Sequence, residues 1–305
     1  MKKIFISALF CLPAPCLAGG TSGATPFDSL QLDLSARAAA MGGACAALPG
    51  GPETLGYNPA GLGAAKRNSA AFSYRGQFGD VTQEYAGVML RPGYVNGVSG
   101  GLALTLDTIG MGNISRTTLS NPAGTGLGTF DIRDWYIAAG YGQKVGEGLF
   151  LGISAKYLRE TIGGTAGSAG AIDMGVIGDL GNYGLPLSAG IAVQNLGTRV
   201  KFQSEGEELP LNFKAGLAYK LPGDKAALAA DLDRVRYGGT TFHAGFELKV
   251  LEEAVFRLGY NGSNEAGSGL VFGAGWEEKG FLLDYAFEPY GDLGDSNIIT
   301  VGLFW

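Results

Sequence analysis

From residue 67 to the C-terminus the chain alternates with a period of two, in segments of about ten residues separated by turn residues, and this is the signature of a β-strand. In the last segment Ile299, Val301, Leu303 and Trp305 share one face, opposite Thr300 and Gly302. Phe281, Leu283, Tyr285 and Phe287 oppose Asp284, Ala286 and Glu288, and Leu149, Leu151, Ile153, Ala155 and Tyr157 oppose Gly152, Ser154 and Lys156. The apolar rows carry no charge and often finish on Tyr or Trp. A Lys or Arg in such a row at mid-bilayer would cost roughly 2–4 kcal/mol, and aromatic rings suit the headgroup boundary.

A soluble sandwich also alternates, but its outer row is richly charged. Here the polar rows are heavy in glycine and alanine, and only 16% of residues are charged, against roughly 25% in a typical soluble domain. The 53 glycines follow no Gly-X-Y period, and 46% hydrophobic residues is too many for a disordered linker. No apolar run of 18 or more residues follows the N-terminal segment, so no transmembrane helix is expected. A membrane chain without one must close into a barrel to satisfy its backbone. The net charge of −6 gives no reason to expect nucleic acid as a partner, since phosphate binding needs clustered Lys and Arg.

The expected fold is therefore all-β, a transmembrane antiparallel barrel in the bacterial outer membrane. About fourteen strands are expected near 67–78, 81–91, 94–108, 129–143, 148–162, 168–180, 185–196, 209–220, 225–237, 240–251, 253–261, 267–277, 279–288 and 296–305. With both ends periplasmic, the turns on that side come out short: Pro92-Gly93, Val145-Gly146-Glu147, Pro222-Gly223-Asp224 and Glu252. The opposite side receives the longest connections, around 109–128 and 197–208, and the segment Pro289 to Asp295. Short periplasmic turns and longer outer loops are the rule for such barrels. Lumen-facing charges such as Lys156, Asp173, Lys214, Glu247, Arg257 and Asp284 are expected to pair with each other and with whatever fills the lumen.

Residues 1–18 read as a secretory signal, with Lys2 and Lys3, an apolar stretch from Ile4 to Leu12, and a small-residue exit at Cys16-Leu17-Ala18. The mature chain then keeps one cysteine, Cys45, so no internal disulfide can form, and its glycine and alanine neighbours suit a packing residue. A single histidine, His243, leaves no His-based triad and no visible metal constellation. Asp292 and Asp295 are too few for calcium, and Ser263 and Ser268 lack a nucleophile elbow. Neither an enzyme nor a cofactor is expected.

Residues 19–66 do not alternate. An alanine-rich stretch at Ser35 to Gly43 suits a short helix, and Asn58-Pro59 starts a turn. This segment is expected to be a hatch folded into the lumen of a barrel that occupies 67–305. The stretch "SARAAAMGGACAALPGGPETLGYNPAGL" resembles the N-terminal signature of the PorV/PorQ family, within the FadL-like group of outer-membrane barrels. Asn58, Pro59 and Ala60 match the Asn-Pro-Ala motif of the group's hatch. "NLG" at 195–197, "KFQSEGEELP" at 201–210, "FRLGY" at 256–260 and "LDYAFEPYGDLGDSN" at 283–297 resemble the family in the same order, so the likeness covers nearly the whole mature chain. It implies a fourteen-stranded barrel with an internal hatch.

Three glycines, Gly97, Gly100 and Gly101, crowd the third expected strand and permit a bulge or kink. By resemblance to FadL-like transporters a kink there opens a lateral exit; a tight backbone contact with the hatch is the alternative. The alternating end Val301, Leu303 and Trp305 looks like the signal read by barrel-assembly machinery, although such barrels commonly end in Phe. Two functions compete. One is a conduit that binds or passes hydrophobic small molecules; the other is a PorV-like protein that docks secreted proteins during type IX secretion. The loop residues Ile109, Met111, Ile114 and Leu119 offer apolar surface for the second. Expected partners are outer-membrane lipid, the assembly machinery, and a hydrophobic ligand or secreted proteins.

Overall fold

Alternation along one strand is enough to divide the surroundings of this chain into two. The computed structural model describes residues 26–91, 100–202, 206–221, 223 and 225–305. Along β5 (Leu149–Ile162) Leu151, Ile153 and Tyr157 face outward, while Ser154, Lys156 and Leu158 are buried. The same division holds in β1 (Ser69–Gln77), β2 (Val81–Leu90), β3 (Gly100–Ser115), β4 (Thr129–Gly146), β6 (Thr165–Asp179) and β7 (Leu187–Gly197). It continues in β10 (Asn212–Lys220), β11 (Ala226–Val235), β12 (Thr240–Lys249), β13 (Ala254–Asn261), β14 (Leu270–Glu278), β15 (Phe281–Pro289) and β16 (Asp295–Phe304). These fourteen strands form one closed antiparallel barrel. It is sealed where β1 pairs with β16 from Ser69↔Phe304 to Gln77↔Ser296. The short pair β8 (Val200–Lys201) and β9 (Gly206–Glu207) stands apart as a two-stranded ribbon.

The outer face carries Leu102, Leu104, Leu106, Phe213, Leu217, Phe256 and Leu283 exposed. A closed barrel has no open edge, so every strand can pair its backbone and present such a face to lipid. The chain is thus an outer-membrane barrel, and its core lies in the lumen, between the wall and residues 26–66.

Several expected boundaries shift by a few residues, and two strands extend across bulges. β3 runs to Ser115 instead of stopping near 108, because pairing with β4 continues across a register shift between Met111 and Ile114. Residues Val145 and Gly146, read as a turn, belong to β4 through a second shift at Lys144/Gly146. A bulge absorbs an extra residue without ending the ladder, so a loop-like composition such as Gly110-Met111-Gly112-Asn113 does not break the strand. In the loop expected at 197–208 Val200 is fully buried, as is Leu209 just after it. The signal segment, the turn Pro92-Gly93, and Pro222 and Asp224 lie outside the described residues.

Candidate functional site

The lumen is filled from residue 26 onward. A single 3-10 turn (Asp28–Gln31) leads to helix α1 (Ala36–Ala40). Ser35 caps α1, its Oγ accepting from the Ala38 N–H at 3.3 Å; a serine here satisfies an otherwise orphan donor. Alanine suits α1 for a second reason, since it lets the helix approach the wall closely. Ala36, Ala39 and Ala40 pack against Val271, Ala286 and Ile298, and the Ala36 N–H donates to Thr300 Oγ1 at 2.8 Å. Just beyond α1, Gly42 has a φ of +65° and lies so close to β13 that a side chain would strike the Tyr260 carbonyl. Glycine alone meets both demands. A 3-10 segment (Pro52–Gly56) and helix α2 (Gly61–Ala64) then return the chain to β1.

Asn58, Pro59 and Ala60 lie between those last two elements, and Asn58 is fully buried. Its Nδ2 donates to Ala46 O at 2.7 Å and shares longer contacts with the wall carbonyls of Val176 (3.2 Å) and Ile191 (3.4 Å). Its Oδ1 accepts from the Ala60 N–H at 3.1 Å. One side chain therefore ties two passes of the hatch to β6 and β7. Pro59 lies directly on Gly152 of β5, where a Cβ would overlap the Pro59 carbonyl group. The glycines of the lumenal rows make room for this backbone-on-backbone contact.

Of the three glycines proposed for a lateral exit, Gly97 lies outside the described residues. Gly100 and Gly101 open β3, which pairs with β4 in unbroken register from Gly100↔Gln143 to Met111↔Ile132. A Cβ on Gly101 would strike the Leu62 carbonyl of α2. Val301 and Leu303 face outward from β16 beside β1, and the Trp305 N–H donates to Asn68 O at 3.2 Å.

Charge is distributed unevenly around the lumen. Arg37 of α1 meets Glu247 at 3.1 Å, Glu247 meets Arg257 at 2.8 Å, and Arg257 meets Asp284 at 2.7 Å. Arg75 donates to Asp33 O (3.0 Å), Glu288 and Ser296, and Lys214 pairs with Asp233. His243 donates from Nδ1 to Gly42 O at 2.7 Å, which leaves Nε2 to accept from Thr241 Oγ1. Lys156 pairs with Asp173 at 2.8 Å and donates to Asn195 Oδ1 at 2.9 Å. Asn195, within the "NLG" triplet, has a φ of +62° beside a register shift between β6 and β7. Each lumenal charge singled out from the sequence thus has a partner.

Within the hatch, burial raises the Asp33 carboxyl above its ordinary range, with Arg75 pulling the other way. Burial also raises the Tyr57 phenol and the Cys45 thiol. A protonated Cys45 packed near Met41, Ala44 and Leu48 is a filler, not a nucleophile. Glu247 holds the Arg37 guanidinium firmly charged.

The other side of the lumen is apolar. Phe27, Leu34, Leu55 and Leu62 of the hatch pack on Tyr85, Met89, Ala103, Tyr136, Ala138 and Leu158 of β2–β5. Val200 and Leu209 join from above, with Phe202 against them. Carboxylates on this wall are held by neutral donors: Gln83 Nε2 to Asp107 at 3.1 Å, Ser29 Oγ to Asp134 at 2.8 Å, and the Phe27 N–H to Glu160 at 3.1 Å. The hydroxyls of Tyr85 and Thr105 are buried here with no partner. At the periplasmic end a cavity of about 670 Å³ is lined by Arg37, Glu53, Lys220, Lys225, Glu247 and Glu253 among others. The apolar wall was missed in the sequence, although Tyr85 and Leu158, large residues in otherwise small or polar inward rows, were its signal.

No group of His, Cys, Asp or Glu among the described residues could hold a metal ion. No protein-family model matches the chain, and no characterised protein matches it by sequence. Among solved structures it is similar to the CymD monoaromatic hydrocarbon channel, with a TM-score of 0.62 and 13% identity over 89% of this chain and 96% of that one. It is similar to the toluene transporter TodX of Pseudomonas putida, with a TM-score of 0.59 and 11% identity over 88% and 96%. A FadL homologue of Pseudomonas aeruginosa gives 0.55 and 10% over 86% and 95%. At such identities the likeness speaks of the fold alone: the chain shares the overall fold of these channels, and is itself a closed fourteen-stranded barrel with residues 26–66 inside its lumen.

Proposed function

We propose that this barrel binds and passes hydrophobic small molecules across the outer membrane without chemical change. The observation that carries the reading is the apolar cluster between the hatch and β2–β5, reaching from Leu62 and Met89 to Val200 and Leu209 under the outer loops. Pockets that take apolar ligands are lined this way, with few polar groups to fix orientation. The fold shared with hydrocarbon channels supports it by analogy. The charged periplasmic cavity is a poor medium for such a solute, and Gly101, in register with β4 and seated against α2, favours the tight contact with the hatch over a kink at that point of β3. Toluene uptake by cells lacking their own channel tests the proposal. Wild-type protein is expected to raise the uptake rate, and Leu158→Gln to abolish the gain at equal surface abundance. Equal uptake with and without the barrel would sink it.

The ordered motifs support a place near the PorV/PorQ group, and with it a second reading as a docking protein for secreted partners. Leu119 is fully exposed and Leu127 partly exposed in the loop after β3, whereas Ile109, Met111 and Ile114 are half-buried in β3 itself. That leaves a small apolar patch for docking, and the conduit is the stronger reading. Val301, Leu303 and Trp305 are proposed as the mark read by the assembly machinery.

A further inference from the structure

We infer that the outer face of β4–β6 carries a binding site for a phosphorylated headgroup of the outer-leaflet lipid. From Leu149 to Tyr157 the outward row of β5 is uncharged. That row rises about 20 Å at the usual strand rise and tilt, most of the apolar height of such a barrel. The next outward residue is Arg159, on the side of the longest loops. It lies directly opposite Trp135 of β4 and Ser168 of β6. Arg133 is its diagonal neighbour, since Arg133 pairs with Thr161, and such neighbours sit about 7–8 Å apart.

The chemistry of this cluster fits a phosphate. Arg133 and Arg159 are exposed, and neither has an ion-pair partner among the described residues. Trp135, opposite Arg159, packs on Tyr157, the outward residue before Arg159 on β5, with centroids 5.6 Å apart, as an aromatic belt does at the headgroup level. The Tyr157 hydroxyl donates to Ser168 Oγ at 3.2 Å, which leaves the serine proton free for an anion. The nearest acid on this face is Asp131, one outward position further from the bilayer, and its Oδ1 already accepts from the Asn113 N–H. Two guanidiniums on neighbouring outward positions, with a hydroxyl directly opposite one of them, form a fork that binds phosphate oxygens strongly. Elsewhere on this rim Arg234 of β11 is engaged with Thr240 and Glu84 of β2 is acidic, so the site is confined to one sector. It lies on the lipid side of the wall and does not depend on what the lumen carries.

The test uses the whole barrel in nanodiscs, with bisphosphorylated lipid A as probe and native mass spectrometry as readout. Wild-type protein is expected to retain lipid A. Arg133→Gln with Arg159→Gln should retain about tenfold less, Ser168→Ala should fall between, and Arg234→Gln should match wild type. All these side chains face outward, and unchanged heat-modifiable migration on gels establishes that each variant is folded. Retention by the double variant equal to wild type would overturn the inference. So would equal retention of a dephosphorylated glycolipid, or full displacement by millimolar inorganic phosphate, which would mark a free-anion site.

Discussion

The two walls of the lumen hold the same hatch by different physics. On the side of β10–β16 small-residue packing is joined by directional ionic contacts: Arg37, Glu247, Arg257 and Asp284 form a chain in which each charge faces an opposite one. On the side of β2–β5 the contact is packing between Leu55, Leu62, Tyr85 and Leu158, and the acids there rest on neutral donors. An ionic anchor fixes position, because a displaced partner leaves a buried charge. An apolar contact is non-directional and tolerates sliding or an inserted apolar guest. On the reading proposed above, in which the barrel is a conduit, the difference gives anchoring to one wall and passage to the other.

The largest expected effect breaks the ionic side. Arg257→Gln strands Asp284, whose side chain is about 1% exposed, and should lower stability by about 3–5 kcal/mol. Urea unfolding followed by heat-modifiable migration reads this, and because the site is buried, raising the salt should change the loss little. Next, Leu158→Ala on the apolar side should cost about 2–5 kcal/mol. If the walls act independently, the double variant should be additive within about 0.5 kcal/mol; a clear departure would mean that the hatch couples them. Asn58→Ala, which cuts the tie between the hatch and β6–β7, should cost about 1–3 kcal/mol and speed hydrogen exchange around Ala46 and Ala60 more than in β14.

The smallest effect comes from Asp33, whose carboxyl burial pushes up. A raised folded pKa means that the native state binds the proton more tightly than the unfolded chain does. The group's favourable contribution is therefore full below the ordinary carboxylate pKa, about 4, and is lost as pH rises through the folded value. Asp33→Asn keeps an acceptor for the Tyr57 hydroxyl, which donates at 2.8 Å, and should flatten that part of the melting-temperature profile. A profile that steepens would contradict the assignment.

The barrel was legible because its outer face obeys one rule along every strand: Leu149 to Tyr157 and Ile299 to Leu303 had to be uncharged. The ion pairs were foreseeable in kind, since a charge in an enclosed lumen needs a partner, though which partner depended on register. The hatch announced itself by failing to alternate. Its contacts did not, because α1 and α2 meet glycines from strands far apart in sequence, such as Gly259 and Gly101. The apolar wall escaped for a related reason. Leu158 and Tyr85 occupy rows that elsewhere carry polar residues, and only the closed barrel brings them to Phe27 and Leu55.

The seam between β1 and β16 has a consequence for biogenesis. It joins the first and last strands of the barrel, so it is the pairing with the greatest chain separation to bridge, and distant pairings form slowly. Helix α1 touches β13–β16 and α2 touches β3–β5, so the segment that leads into β1 already spans both sides of the gap. The amide of Trp305 meets the Asn68 carbonyl at the root of that segment. The plug is thereby also a short inner strut, bridging strands on either side of the place where the ends of the sheet meet.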